Sequence, residues 1–135
     1  MAQNKRTPNK PGSSSSPKPL GERKLPRPIR VGILGLGRIG WNFHAKTVRE
    51  HNGFTLTAVC DVEPSRVAEA EVEAGVEGFT DYGKFLKSAD VELVVVAAQS
   101  QAHERHTLRA LRAGKHVLCE KPACRKVAAL DRMIR

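Results

Sequence analysis

Three glycines spaced Gly35, Gly37 and Gly40, in the run GLGRIG, stand between an apolar stretch, Ile29–Leu34, and a stretch without breakers, Arg38–Glu50. Set between a strand and a helix, a G-x-G-x-x-G spacing brings bare backbone up to a diphosphate. Gly35 permits the tight turn, Gly37 removes a Cβ where a diphosphate approaches, and Gly40 lets the helix pack close to the strand. The first amides of that helix, at Arg38 and Ile39, then face the phosphates from the positive end of the helix dipole. Asp61 ends the next apolar segment, 21 positions beyond Gly40. A carboxylate there accepts hydrogen bonds from the hydroxyls of an adenosine ribose and repels a 2′-phosphate, which favours NAD over NADP. Arg66, five residues on, is within reach of a phosphate and keeps NADP open. The plainer reading of Asp61 is a cap on the helix that follows it.

The elements that must position these residues are legible as an alternation of strands and helices. Strands are expected at Ile29–Leu34, Phe54–Cys60, Gly78–Thr80, Val91–Ala98 and His116–Cys119. Helices are expected at Arg38–Glu50, Glu63–Ala74, Tyr82–Lys87 (capped by Asp81), Ala102–Ala113 and Lys126–Arg135, the last with Val127, Leu130 and Ile134 on one face. The continuous apolar run VELVVVAA suits a parallel strand covered on both faces. This order implies βαβ crossovers and an α/β fold, a doubly wound parallel sheet of the Rossmann type. The last helix has no cap or stop before the sequence ends, the pattern expected of a chain cut after its first domain.

Composition narrows the function further. The 135 residues are 40% hydrophobic and 4% aromatic, which suits one aliphatic α/β domain. The net charge of +9 is concentrated in a Pro/Ser-rich stretch over residues 1–28, expected to be a disordered basic tail. Residues 1–30 carry +7 and the remaining 105 only +2. A basic arm without aromatics reads as a solvated leader rather than a nucleic-acid binder. No apolar run is long enough to span a bilayer and no secretory signal is visible, so the expected location is cytoplasmic. Cys60 and Cys119 end apolar runs, as buried structural thiols do, and with Cys124 they form no C-x-x-C pair. His103 and His106 share a helix face but stand three apart with no third ligand, so no metal site is expected. His44, His51 and His116 read as helix-surface or strand-edge residues.

Residues 93–122, LVVVAAQSQAHERHTLRALRAGKHVLCEKP, together with GLGRIG and VCD upstream, resemble the Gfo/Idh/MocA oxidoreductases, the glucose-fructose oxidoreductase and inositol dehydrogenase group, over about residues 29–135. AGKHVLCEKP carries most of the specificity. The resemblance implies that Glu120-Lys121-Pro122 is the family's E-K-P motif, with a cis peptide before the proline and with Lys121 beside the nicotinamide and the reacting hydroxyl. It adds Ala98, His103 and Glu120 to the cofactor-binding set. One departure stands out: Ala98 and Gln99 occupy the family's Thr-Pro positions, whereas His103 matches the family's histidine. The family acts on sugars, polyols or related alcohols with NAD(P), through a second, C-terminal domain that supplies the general base and usually the oligomer contacts. The expected role is therefore the NAD(P)-binding domain of a hydride-transferring oxidoreductase, homo-oligomeric in full-length form and nearly inactive as this chain alone. The alternative is a non-catalytic dinucleotide-binding or sensing module.

Overall fold

In the computed structural model, which describes residues 26–87 and 90–135, five strands make one sheet. They are β1 (Ile29–Leu34), β2 (Phe54–Cys60), β3 (Glu77–Phe79), β4 (Leu93–Val96) and β5 (His116–Cys119), all parallel, in the order β3-β2-β1-β4-β5. The chain winds outward from β1 in one direction and then, from β4, in the other, so β1 and β4 flank a topological switch point. The helices are α1 (Lys46–Glu50), α2 (Pro64–Ala74), α3 (Tyr82–Lys87), α4 (His103–Arg112) and α5 (Val127–Ile134). The expected tail lies outside the described residues up to position 25. Of its last three residues, Arg27 pairs through both guanidinium nitrogens with Glu92, at 2.6 and 2.8 Å. That contact, with the Arg30 amide, holds the Glu92 carboxyl down to about 2.

Period-two alternation sorts each apolar strand onto two faces. Val31 and Ile33 of β1 and Val95 of β4 join Val48 and Val67 beneath α1 and α2. Leu34, Val94 and Val96 point the other way, onto Tyr82 and Phe85 of α3 and Ala110 of α4. Both faces are thus covered over the carboxyl halves of β1 and β4, which is why those halves are apolar; at β5, Leu118 stays 45% exposed. Phe85 is fully buried and lies over Gly32, where an added Cβ would sit 2.6 Å from the Phe85 ring.

Four expectations are adjusted. The helix after the glycine turn is wide-wound (π) over Arg38–Ala45 before it becomes α-helical, and eight residues are too few for side-chain periodicity to distinguish the two windings. β4 is limited to Leu93–Val96, the four residues that pair with both β1 and β5, though Val91 still packs in the core. Ser100–Ala102 forms a 3₁₀ turn ahead of α4. In α5, Val127 and Ile134 face outward at 77% and 75% exposure, and the helix seats against its neighbours through buried Ala129 and the Arg132–Glu104 pair. A small residue permits that closer approach. Asp81 does cap α3, accepting the Lys84 amide at 2.7 Å.

Phe85→Ala removes the largest fully buried side chain and is expected to cost about 3–5 kcal/mol, read as a lower urea midpoint in equilibrium unfolding.

Candidate functional site

The carboxyl ends of the strands are level. Leu34 pairs with both Cys60 and Val96, Cys60 with Phe79, and Val96 with Cys119. The ladder then runs one residue further: Gly35 donates to Cys60 (2.8 Å), Asp61 to Phe79 (3.1 Å), Ala97 to Leu34 (2.8 Å) and Glu120 to Val96 (2.9 Å). Every segment singled out by sequence leaves the sheet from this rim, where open α/β sheets bind ligands.

Each glycine of the loop has a different physical task. Gly35 has φ +94, and a Cβ there would lie 2.6 Å from the Ala97 carbonyl oxygen, so both its conformation and its contact with the end of β4 exclude a side chain. A Cβ on Gly40 would fall on the Gly35 carbonyl, which is the close packing of helix on turn. Gly37 is different: its φ of −70 is available to any residue, and a Cβ would meet nothing within 4 Å. Its missing side chain serves no contact among the described residues and leaves a cradle open above the turn. The Arg38 and Ile39 amides open the helix beside it, where N–H groups have no intrahelical acceptor. These residues fit the diphosphate of a dinucleotide.

Asp61 is 5% exposed. Its Oδ2 accepts the Leu36 amide at 2.7 Å and its Oδ1 the Glu63 amide at 2.8 Å, with the Arg66 guanidinium 3.7 Å from Oδ2. Asp61 is thus not a cap on α2, whose N-cap is Glu63 without a side-chain cap bond; it bonds the Glu63 amide two residues on and keeps its place at the rim. Its bond to Leu36, which ties the glycine turn to β2, has no signature in spacing alone. A carboxylate has about four lone-pair sites, so the two amides leave part of that capacity unused.

At the other end of the rim the Lys121–Pro122 peptide is cis, and Lys121 is exposed. Two histidines hold this turn. His103 is 1% exposed, with Nδ1 2.7 Å from the Pro122 carbonyl oxygen and Nε2 2.8 Å from that of Ala98. It therefore clasps the turn after β5 to the turn after β4. His44, expected on a helix surface, instead places Nε2 2.6 Å from Glu120 Oε1. This contact joins residues 76 apart in sequence, and no local pattern announces it. The bond to His44 and the Lys121 amide hold the Glu120 carboxyl below its ordinary range. At the departure from the family motif, Gln99 adopts φ −62 and ψ 142, the backbone a proline would impose.

The remaining candidates sit apart from this chemistry. Among the described residues no group of three His, Cys, Asp or Glu is arranged to hold a metal. His51 accepts the Gly53 amide at the end of α1, and His116 is exposed at the start of β5. Burial pushes the Cys60 thiol up to about 12, as befits an inert core residue. Cys119 is only half-buried. A cleft of about 580 Å³ lies on the outer flank of α1, where Trp41 and Arg49 spend their polar groups on Glu73. No helix among the described residues is long and apolar enough to cross a membrane.

Residues 29–135 match the GFO_IDH_MocA family model, described as an oxidoreductase family with an NAD-binding Rossmann fold. The chain is 35% identical over 107 residues to myo-inositol 2-dehydrogenase of Thermotoga maritima, covering 78% of this chain and 32% of that protein. Among solved structures it resembles the WlbA dehydrogenase of Bordetella pertussis in complex with NADH and UDP-GlcNAcA (TM-score 0.75, 30% identity, 80% of this chain and 33% of that one). It also resembles KijD10, a 3-ketoreductase of Actinomadura kijaniata in complex with TDP-benzene and NADP (TM-score 0.76, 31% identity, 80% and 34%). The chain spans about a third of the length of these relatives.

Beside the rim, His106 packs edge-on against Tyr82 with its Nδ1 buried and unpartnered. Burial, and then Arg105, Arg109 and His103, press its pKa from 6.5 down to about 4. The unfolded chain therefore takes up this proton first as pH falls. The stability associated with the neutral ring is complete above pH 6.5 and is lost toward about 4. His106→Phe, which keeps the ring contact, is expected to flatten this part of the dependence of the urea midpoint on pH.

Proposed function

The chain belongs to the Gfo/Idh/MocA oxidoreductase family, and from that premise we propose that it is the dinucleotide-binding part of an enzyme that moves a hydride between a nicotinamide and a sugar, polyol or related alcohol. The observation that carries this reading is the open cradle at Gly37 on the same sheet edge as Asp61 and Lys121. When bound, the nicotinamide supplies the hydride acceptor. The Gly37, Arg38 and Ile39 amides hold the diphosphate between Gly35 and Gly40, and Asp61 takes the adenosine ribose hydroxyls with its unused lone pairs. Ala98, His103 and Glu120 border the nicotinamide end. Lys121, free of any carboxylate within salt-bridge distance among the described residues, donates to the reacting oxygen and stabilises charge developing there.

NAD is the preferred cofactor on this reading, because the buried Asp61 carboxylate opposes a 2′-phosphate and the Arg66 guanidinium is turned toward it. The substrate is a small molecule met across the rim. The full-length protein works as a homo-oligomer, in a reducing, cytoplasmic setting that suits the free thiols of Cys60, Cys119 and Cys124. Hydride transfer needs a closed, dry site, so this chain by itself binds cofactor with little turnover. One observation favours a second reading, a non-catalytic dinucleotide sensor: Ala98 supplies no hydroxyl at the nicotinamide end.

Calorimetric titration with NAD⁺ and NADP⁺ tests the proposal. The wild type is expected to bind NAD⁺ more tightly, and failure to bind either removes the reading. Gly37→Val places its side chain in open space, so binding is expected to vanish while the urea midpoint stays unchanged. Asp61→Ala is expected to weaken NAD⁺ more than NADP⁺. It also removes two hydrogen bonds to a buried carboxylate, and so lowers stability by about 2 kcal/mol or more.

A further inference from the structure

His44 stands four residues beyond Gly40, on the helix that opens from the glycine turn. Glu120 stands at the end of β5, and its amide is pinned to Val96 of β4 at 2.9 Å. In the sheet order β4 lies between β1 and β5, so the 2.6 Å contact from His44 Nε2 to Glu120 Oε1 spans the carboxyl end of an intervening strand. The two side chains are only 12% and 24% exposed. The second oxygen, Oε2, accepts the Lys121 amide at 3.1 Å. One carboxylate thus holds the glycine-turn helix with one oxygen and the backbone of Lys121 with the other. Among the described residues His44 has no hydrogen bond to Lys121, and Glu120 is bonded to both.

We propose that His44 is a positioning residue, which through the Glu120 carboxylate fixes Lys121 relative to the diphosphate-holding turn and so sets where the nicotinamide end of the cofactor is received. This rests on the dinucleotide reading above. The geometry divides the cofactor into two parts. The diphosphate and adenosine meet Gly37 and Asp61 and do not depend on the tie, whereas the nicotinamide meets the Lys121 turn and does. Glutamine keeps an N–H donor aimed at the carboxylate, and leucine fills the space without one.

ADP-ribose carries the adenosine and diphosphate of the cofactor but no nicotinamide, and it separates the two halves in titrations of the whole chain followed by calorimetry and, for NADH, by nicotinamide fluorescence. His44→Leu is expected to weaken NADH about tenfold, the scale of one hydrogen bond to a charged group, and to leave ADP-ribose unchanged. His44→Gln is expected to restore NADH binding and its emission. Lys121→Met is expected to lose a similar factor, and the double variant, His44→Leu with Lys121→Met, to bind NADH no more weakly than Lys121→Met alone. Equal losses for both ligands, independent losses in the double variant, or a wild type that binds NADH no tighter than ADP-ribose would each overturn the proposal. If His44→Leu does not fold, Glu120→Gln reads the same tie from its other end. A wild type that binds neither ligand refutes the dinucleotide reading instead, and the ADP-ribose arm distinguishes that failure from this one.

Discussion

The site depends on the hydrogen-bond ladder of the sheet running one residue past the end of its strands. Gly35, Asp61, Ala97 and Glu120 each donate an amide to the last residue of a neighbouring strand, so four connecting segments leave from one line instead of straying independently. Buried backbone groups must find partners, and a parallel sheet covered on both faces offers them at fixed spacing. Gly35 turns this regularity into a constraint, because its backbone lies so close to Ala97 that no side chain fits between them. The switch point between β1 and β4 is held narrow at its base and left open only above Gly37.

Polar side chains then fasten the segments to one another across that line. Asp61 holds the glycine turn to β2, His103 holds the β4 turn to the β5 turn, and His44 with Glu120 holds the glycine-turn helix to the Lys121 turn. All three ties use side chains largely withdrawn from water, where a hydrogen bond that is lost leaves a costly unpaired group. Lys121 and the Gly37 cradle are left uncommitted among them. The frame of the rim is satisfied internally, and among the described residues the Lys121 ammonium and the helix-opening amides stay out of it.

The sequence made the scaffold legible because its signals are local. β1, β2, β5 and α3 fall on the expected residues, since apolar runs, Gly stops and the Asp81 cap act within a few positions. The Gly35–Gly40 loop was readable because its spacing is local: Gly35 and Gly40 answer steric requirements of the turn itself, and Gly37 stands between them. The ties were not. His44 and Glu120 are 76 positions apart, and a histidine on a helix carries no mark of what a distant strand brings to it. The outward face of α5 misled for a related reason: Val127, Leu130 and Ile134 state an apolar stripe, but which face is covered was decided by the close seat at Ala129.

The departure at Ala98-Gln99 bears on how such a rim is maintained. A proline would fix the backbone after β4 by its ring; Gln99 reaches φ −62 without one. The conformation is instead held from both sides. The Ala97 amide is bound to Leu34, and the Ala98 carbonyl lies 2.8 Å from His103 Nε2. Because the same imidazole meets the Pro122 carbonyl with its other nitrogen, the ring that contacts one turn also contacts the other. A side chain of α4 thus supplies a contact between the turns, and their separation is fixed by the width of one imidazole.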